Sequence, residues 1–103
     1  MLPMSVHCVV VSWLKEPGNL EHIAQLTAAC ESLRQIPGVS EVRFGPRANL
    51  GGVGSDDSFD FAMIISFESF KAAQDYGPHP NHVQAAQLTV QLAERFQSFY
   101  FET

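Results

Sequence analysis

Positive charge is scarce in this sequence. Its 103 residues carry six Lys and Arg against eleven Asp and Glu, a formal net charge of −5 with histidine neutral. A chain with no surplus of cations cannot neutralise a run of phosphates, which counts against a nucleic-acid partner and against an anionic membrane surface. Long apolar runs are missing too. The strongest, Val9–Leu14 with its flanks, falls far short of the ~20 residues of a membrane span. It also lacks the preceding basic residue and following small-residue cleavage site of an export signal. Cysteine is limited to Cys8 and Cys30, isolated and set in apolar segments. Neither a disulfide scaffold nor a CxxC site is expected from them. What these absences leave is a small acidic protein of cytoplasmic type, one domain over residues 1–103 with a single core.

What is present is regular. Val6–Leu14, with three consecutive valines, reads as a strand that ends at Lys15-Glu16-Pro17-Gly18. Asn19 caps a helix in which Ile23, Leu26, Cys30 and Leu33 recur at three- and four-residue steps. Ile36-Pro37-Gly38 turns the chain into a second strand, Val39–Phe44, and a polar, glycine-rich stretch, Gly45–Ser58, comes next. Phe59–Phe67 is the third strand, with Phe59, Phe61, Met63, Ile65 and Phe67 on one face and Asp60, Ala62, Ile64 and Ser66 on the other. Ser69 caps a short helix through Tyr76, Asn81 a longer one through about Arg95, and Phe96–Phe101 closes the chain as a fourth strand.

That order predicts an α+β fold, a ferredoxin-like split βαβ with a four-stranded antiparallel sheet and its helices on one face. The first strand is apolar on both faces, with Val6, Cys8 and Val10 against Val9, Val11 and Trp13. A sheet with one face in water should alternate apolar with polar. The face that the helices leave bare would hold Trp13 with either Phe59, Phe61, Met63 and Ile65 or their counterparts. Such a patch exceeds the few hundred Å² that monomers tolerate. At about 25 cal/mol per Å², covering it is worth many kcal/mol. The simplest cover is the same face of a second copy, an isologous homodimer of face-to-face sheets.

Chemistry concentrates in Tyr76-Gly77-Pro78-His79-Pro80-Asn81-His82, a phenol and two imidazoles where two helices meet, with two prolines fixing the turn. Such a junction suits general acid–base work near neutral pH, and His82 is the candidate base. His79-x-x-His82 also reads as a turn with polar caps, or as half a metal site. Asp75 is nearby, but no further ligand cluster is visible, so no metal or cofactor is expected. His7 shares a face with Val9, Val11 and Trp13, toward either the partner sheet or the helices. There it needs a hydrogen-bond partner, because burying it unpaired costs about 1–3 kcal/mol. It is either a structural histidine or the polar group of an apolar small-molecule cavity. Gly51-Gly52-x-Gly54 lies between two strands with no helix N-terminus behind it, which excludes a phosphate cradle. The loop is a flap over a cavity or an extension toward the partner chain.

Taken in order, several segments form a set: His7 opening a Val-rich strand, Ile36-Pro37-Gly38-Val39, Phe44-Gly45, Phe59-Asp60, Phe67-Glu68-Ser69 and Tyr76-x-x-His79-Pro80-x-His82. In them the chain resembles the stress-responsive A/B barrel (Dabb) family over nearly its whole length. The resemblance implies a ferredoxin-like protomer that pairs as a dimeric α/β barrel, and a small hydrophobic ligand held between sheet and helices. In a polyketide cyclase of that family, the strand-one histidine, the tyrosine and the second histidine of His-Pro-x-His line one cavity, the last as base for a ring closure. By motif position these are His7, Tyr76 and His82. Ligand contacts are expected from His79, Trp13 and Tyr100. Tyr100 stands where the family commonly has an acidic residue placed to orient the helical histidine, and Phe61 where it often has a histidine. The expectation is a stress-responsive homodimer with no assigned reaction. The alternatives are a cofactor-independent cyclase or lyase acting on a small carbonyl compound and, by fold analogy, a dimeric α/β-barrel monooxygenase.

Overall fold

A computed structural model describes residues 4–103, so the first three residues of the expected domain lie outside the described residues. The elements are β1 (Val6–Leu14), α1 (Leu20–Ser32) with a 3₁₀ turn at Leu33–Gln35, β2 (Val39–Pro46), β3 (Phe61–Phe67), α2 (Phe70–Tyr76), α3 (Pro80–Leu92) and β4 (Ala93–Glu102). The strands form one antiparallel sheet in the order β2-β3-β1-β4. This is the ferredoxin-like α+β architecture. Among the described residues, no helix is long and apolar enough to cross a membrane.

Local hydrogen bonds set the helix starts. The Asn19 side chain accepts from the His22 N–H, and the Ser69 hydroxyl from the Ala72 N–H. The third helix departs from expectation at both ends. His79, not Asn81, is its N-cap: the His79 Nδ1 accepts from the Asn81 N–H at 3.1 Å, and Pro80 takes the first helical position. The Asn81 amide instead donates to the Ser32 carbonyl, tying α3 to α1. The helix stops at Leu92 because β1 captures the residues beyond it, pairing Leu14 with Ala93 and Trp13 with Arg95. The third strand starts at Phe61 rather than Phe59. Asp60 peels away to bond Ser12 O through its N–H and the Leu14 N–H through its carboxylate.

The registers assign every strand residue to a face. Toward the helices lie Val6, Cys8 and Leu14 of β1 and Phe61, Met63, Ile65 and Phe67 of β3, all buried against Leu26, Leu33 and Tyr76. On the outer face β1 presents His7, Val9, Val11 and Trp13. Beside them stand Ser66, Ile64 and Ala62 of β3, and Phe101 and Phe99 of β4. The bare face therefore carries the counterparts of the Phe61 series, while that series forms the core. Phe99 and Phe101 remain about half exposed.

The chain is a slab of 43 × 35 × 17 Å. Its surface of 6577 Å² exceeds by roughly 800 Å² the value expected for a monomer of 11.4 kDa. That excess is about one partner's share of a standard protein interface.

One glycine positions α2. Gly38 has φ +87°, and a Cβ there would lie 2.5 Å from the Ala72 Cβ. The turn passes so close to α2 that only hydrogen fits, and its carbonyl accepts the Glu68 N–H just before the helix.

Candidate functional site

The junction of α2 and α3 is built from its own backbone. The His79 N–H closes on the Tyr76 carbonyl, and the His79 ring caps α3. His82 stands one turn in, and its Nδ1 lies 2.8 Å from the Gly77 carbonyl oxygen. A carbonyl can only accept, so the neutral ring carries its proton on Nδ1 and keeps the lone pair on Nε2.

Tyr76 is the side chain that His82 meets. The two rings lie 4.2 Å apart at 41°, and Phe67 packs edge-on against the other side of the phenol at 4.9 Å. Tyr76 is buried, and burial pushes its phenol far above the ordinary tyrosine value, helped by Cys8, Tyr100 and Cys30. It therefore stays an O–H donor at any physiological pH. None of the hydrogen bonds among the described residues engages that hydroxyl.

Both rings line a cavity of about 100 Å³ between sheet and helices. Its walls are mostly apolar, including Val10, Leu26, Phe61, Met63 and Phe96, and Ser12 and Ser98 add two hydroxyls from the sheet. Cys30 also faces it, but burial pushes that thiol up to about 12, which leaves it protonated and unsuited to nucleophilic attack. The space is smaller than the 300–1,000 Å³ of pockets for drug-sized ligands. It suits a compound of a few heavy atoms.

The expected site residues separate into two groups. Tyr76 and His82 come together. His7 does not join them: it lies on the outer sheet face, its Nδ1 2.7 Å from the Ser66 hydroxyl and its Nε2 2.9 Å from that of Thr103, stacked on Phe101. Core packing of Val6 and Cys8 forces this, because it turns His7 to the opposite side. Trp13 shares that outer face. Its indole N–H donates to Ser58, and the Arg95 guanidinium covers the ring at 3.9 Å. His79 spends a ring nitrogen on the helix cap. Tyr100 faces the helix side but outside this cavity, lining a separate groove with Val6 and Phe70. The Gly77 carbonyl takes over the orientation of His82, a role the family resemblance gave to the Tyr100 position. No side-chain motif could have shown that. Ser12 was legible only as a hydroxyl in a valine-rich strand, and the register is what places it on the core side of β1.

Sheet, helices and this cavity define a ferredoxin-like α+β protein with a phenol–imidazole pair beneath its helices. The model of the stress responsive A/B barrel domain matches residues 6–103, and the chain belongs to that family. Among solved structures, a dimeric ferredoxin-like protein of unknown function from Thermobifida fusca aligns with TM-score 0.81 and 18% identity, over 100% of this chain and 94% of its own. Hydroxynitrile lyase from Passiflora edulis gives 0.81 and 22%, over 99% and 95%. A Dabb family protein from Mesorhizobium loti gives 0.76 and 25%, over 95% of both chains. No curated protein matches the sequence significantly.

Proposed function

We propose that this chain, as a single cytoplasmic domain of 103 residues, works as a homodimer whose protomers each bind a small, uncharged, mostly apolar compound carrying a carbonyl oxygen. Dimerisation is supported by the uncovered outer face, by the excess surface and by the dimeric description of a fold neighbour. The buried, unbridged Cys8 and Cys30 suit a reducing compartment.

The observation that carries the ligand reading is the Tyr76–His82 pair. A neutral phenol with no hydrogen-bond partner among the described residues supplies one hydrogen bond toward a carbonyl oxygen, and the apolar walls receive the rest of the molecule. The same pair supports a second reading, a cofactor-independent lyase or cyclase. His82 Nε2 takes a proton from the carbon alpha to that carbonyl, and Tyr76 stabilises the charge that develops on the oxygen. The oriented Nε2 lone pair favours it, and a fold neighbour is a hydroxynitrile lyase. In this arrangement His7 and Trp13 serve the dimer face, and His79 and Tyr100 frame the site from outside.

Butanone, which has a carbonyl and few heavy atoms, is the test ligand. Ring-proton shifts of Tyr76 and His82 on titration would report binding, and Tyr76→Phe should weaken it by on the order of tenfold. Deuterium uptake at the alpha carbon, lost in His82→Ala, would establish the base. Binding without uptake would leave a ligand-binding protein. Absence of binding by butanone and its short homologues would overturn both readings.

A further inference from the structure

The outer sheet face accounts for a second copy but leaves two apolar exposures at opposite corners of the sheet. One is the tip of the β2–β3 loop. The feet of this loop are tied down: Arg47 donates to the Phe59 carbonyl, Trp13 to the Ser58 hydroxyl, and the Ser58 N–H to Asp56. Between the feet stand Leu50 and Val53, at 92% and 109% relative exposure, flanking Gly51 and Gly52, which both have positive φ. Leu50 and Val53, held fully in water beside these glycines, have no apolar cover among the described residues of their own chain.

The other exposure is an apolar groove on the helix side of the β4 edge, lined by Val6, Phe70, Ala73, Gln74 and Tyr100. Phe70 and Tyr100 are more than half exposed. The groove continues into the outer face through Phe101, which lines it and also stacks on His7.

The registers fix where the two features lie. The loop leaves the sheet at the Pro46–Phe61 pair, beside the Ser12 end of β1 and toward the β2 edge. The groove lies at the Val6–Glu102 pair, at the other end of β1 and on the other edge. Six residues of strand separate them lengthwise, about 20 Å, so tip and groove occupy diagonally opposite corners. A face-to-face pairing has its two-fold axis in the plane between the sheets. If that axis runs along the remaining diagonal, each tip falls on its partner's groove, both at once, and the strands of the two sheets cross near 90°. A long loop is what such a contact requires, because it must pass round the β4 edge to reach the helix side.

We propose that the Leu50–Val53 tip of each protomer docks in the groove between α2 and the β4 edge of its partner, clasping the dimer at both ends and setting an orthogonal crossing of the sheets. This rests on the face-to-face homodimer proposed above and adds its orientation and its second contact.

Cross-linking tests it. Val53→Cys and Gln74→Cys variants are made separately, mixed to allow subunit exchange, and treated with a short bis-maleimide; the buried Cys8 and Cys30 do not compete. The expected result is a covalent dimer in the mixture and not in either variant alone. A dimer by sedimentation that gives no such product overturns the docking and leaves the face-to-face pairing standing. A monomer by sedimentation overturns both. Independently, Leu50→Ser with Val53→Ser should raise the dimer dissociation constant at least about tenfold, from the apolar area that would no longer be buried. An unchanged constant overturns the docking.

Discussion

Replacing Gly38 by alanine adds one methyl group at the place where the turn before β2 meets α2. The geometry imposes two costs. Alanine at φ +87° is held in the left-handed region, worth about 1–2 kcal/mol. The new Cβ would also stand 2.5 Å from that of Ala72, far inside contact distance, an overpacking of about 1–3 kcal/mol. Together the loss is roughly 2–5 kcal/mol. Ala72→Gly separates the two terms. Alone it costs about 1 kcal/mol in helix propensity, but combined with Gly38→Ala it removes the collision and leaves only the backbone strain. The double variant should therefore be more stable than the sum of the singles by about 1–3 kcal/mol. Urea unfolding of all four proteins at one fixed concentration measures this, because the stability of the proposed dimer would depend on concentration. Strictly additive losses, or a Gly38→Ala variant as stable as the parent, would refute the contact. The result bears on the site, because α2 carries Tyr76.

His79→Ala should cost about 1 kcal/mol of stability by removing the cap of α3, with His79→Asn restoring most of it, in the same urea assay. If the alanine variant matches the parent, the ring nitrogen does not cap the helix. Alkaline pH should weaken the fold. Burial raises the Cys30 thiol from its ordinary 9.0 to about 12, so the stability it contributes is fully present below about pH 9 and is lost as pH rises toward 12. Tyr100, raised to about 12, acts in the same direction over the upper part of that range. Denaturation midpoints should stay level from neutrality to about pH 9 and fall above it, with a smaller fall in Cys30→Val. An equal fall in that variant contradicts the assignment to Cys30.

The fold was legible where one local interaction decides. The bounds of β1, the Asn19 and Ser69 caps and the Ile36-Pro37-Gly38 turn depend on side chains acting within a few residues of themselves. The errors arose where a distant partner decides. Asn81 is by type a better cap than His79, but Pro80 fixes the first turn and the Asn81 amide bonds Ser32 on another helix. Glu94 and Arg95 favour helix, yet pairing with β1 draws them into β4. For the site, the Tyr76–His82 junction could be read because it is contiguous in sequence. The face of His7 could not: β1 is apolar on both sides, so alternation groups His7 with Trp13 without telling which group meets the helices.

In the proposed dimer the bare sheet face is buried against a second copy while the Tyr76–His82 cavity stays on the far side. Sedimentation equilibrium of the parent and of Phe99→Lys measures this directly, since Phe99 sits on that face and outside the cavity. The parent should sediment at twice 11.4 kDa. The variant should sediment at the single mass, still folded and still showing butanone-induced shifts at Tyr76. A parent that remains at the single mass at every concentration, with its outer face bare to water, contradicts the face-to-face pairing.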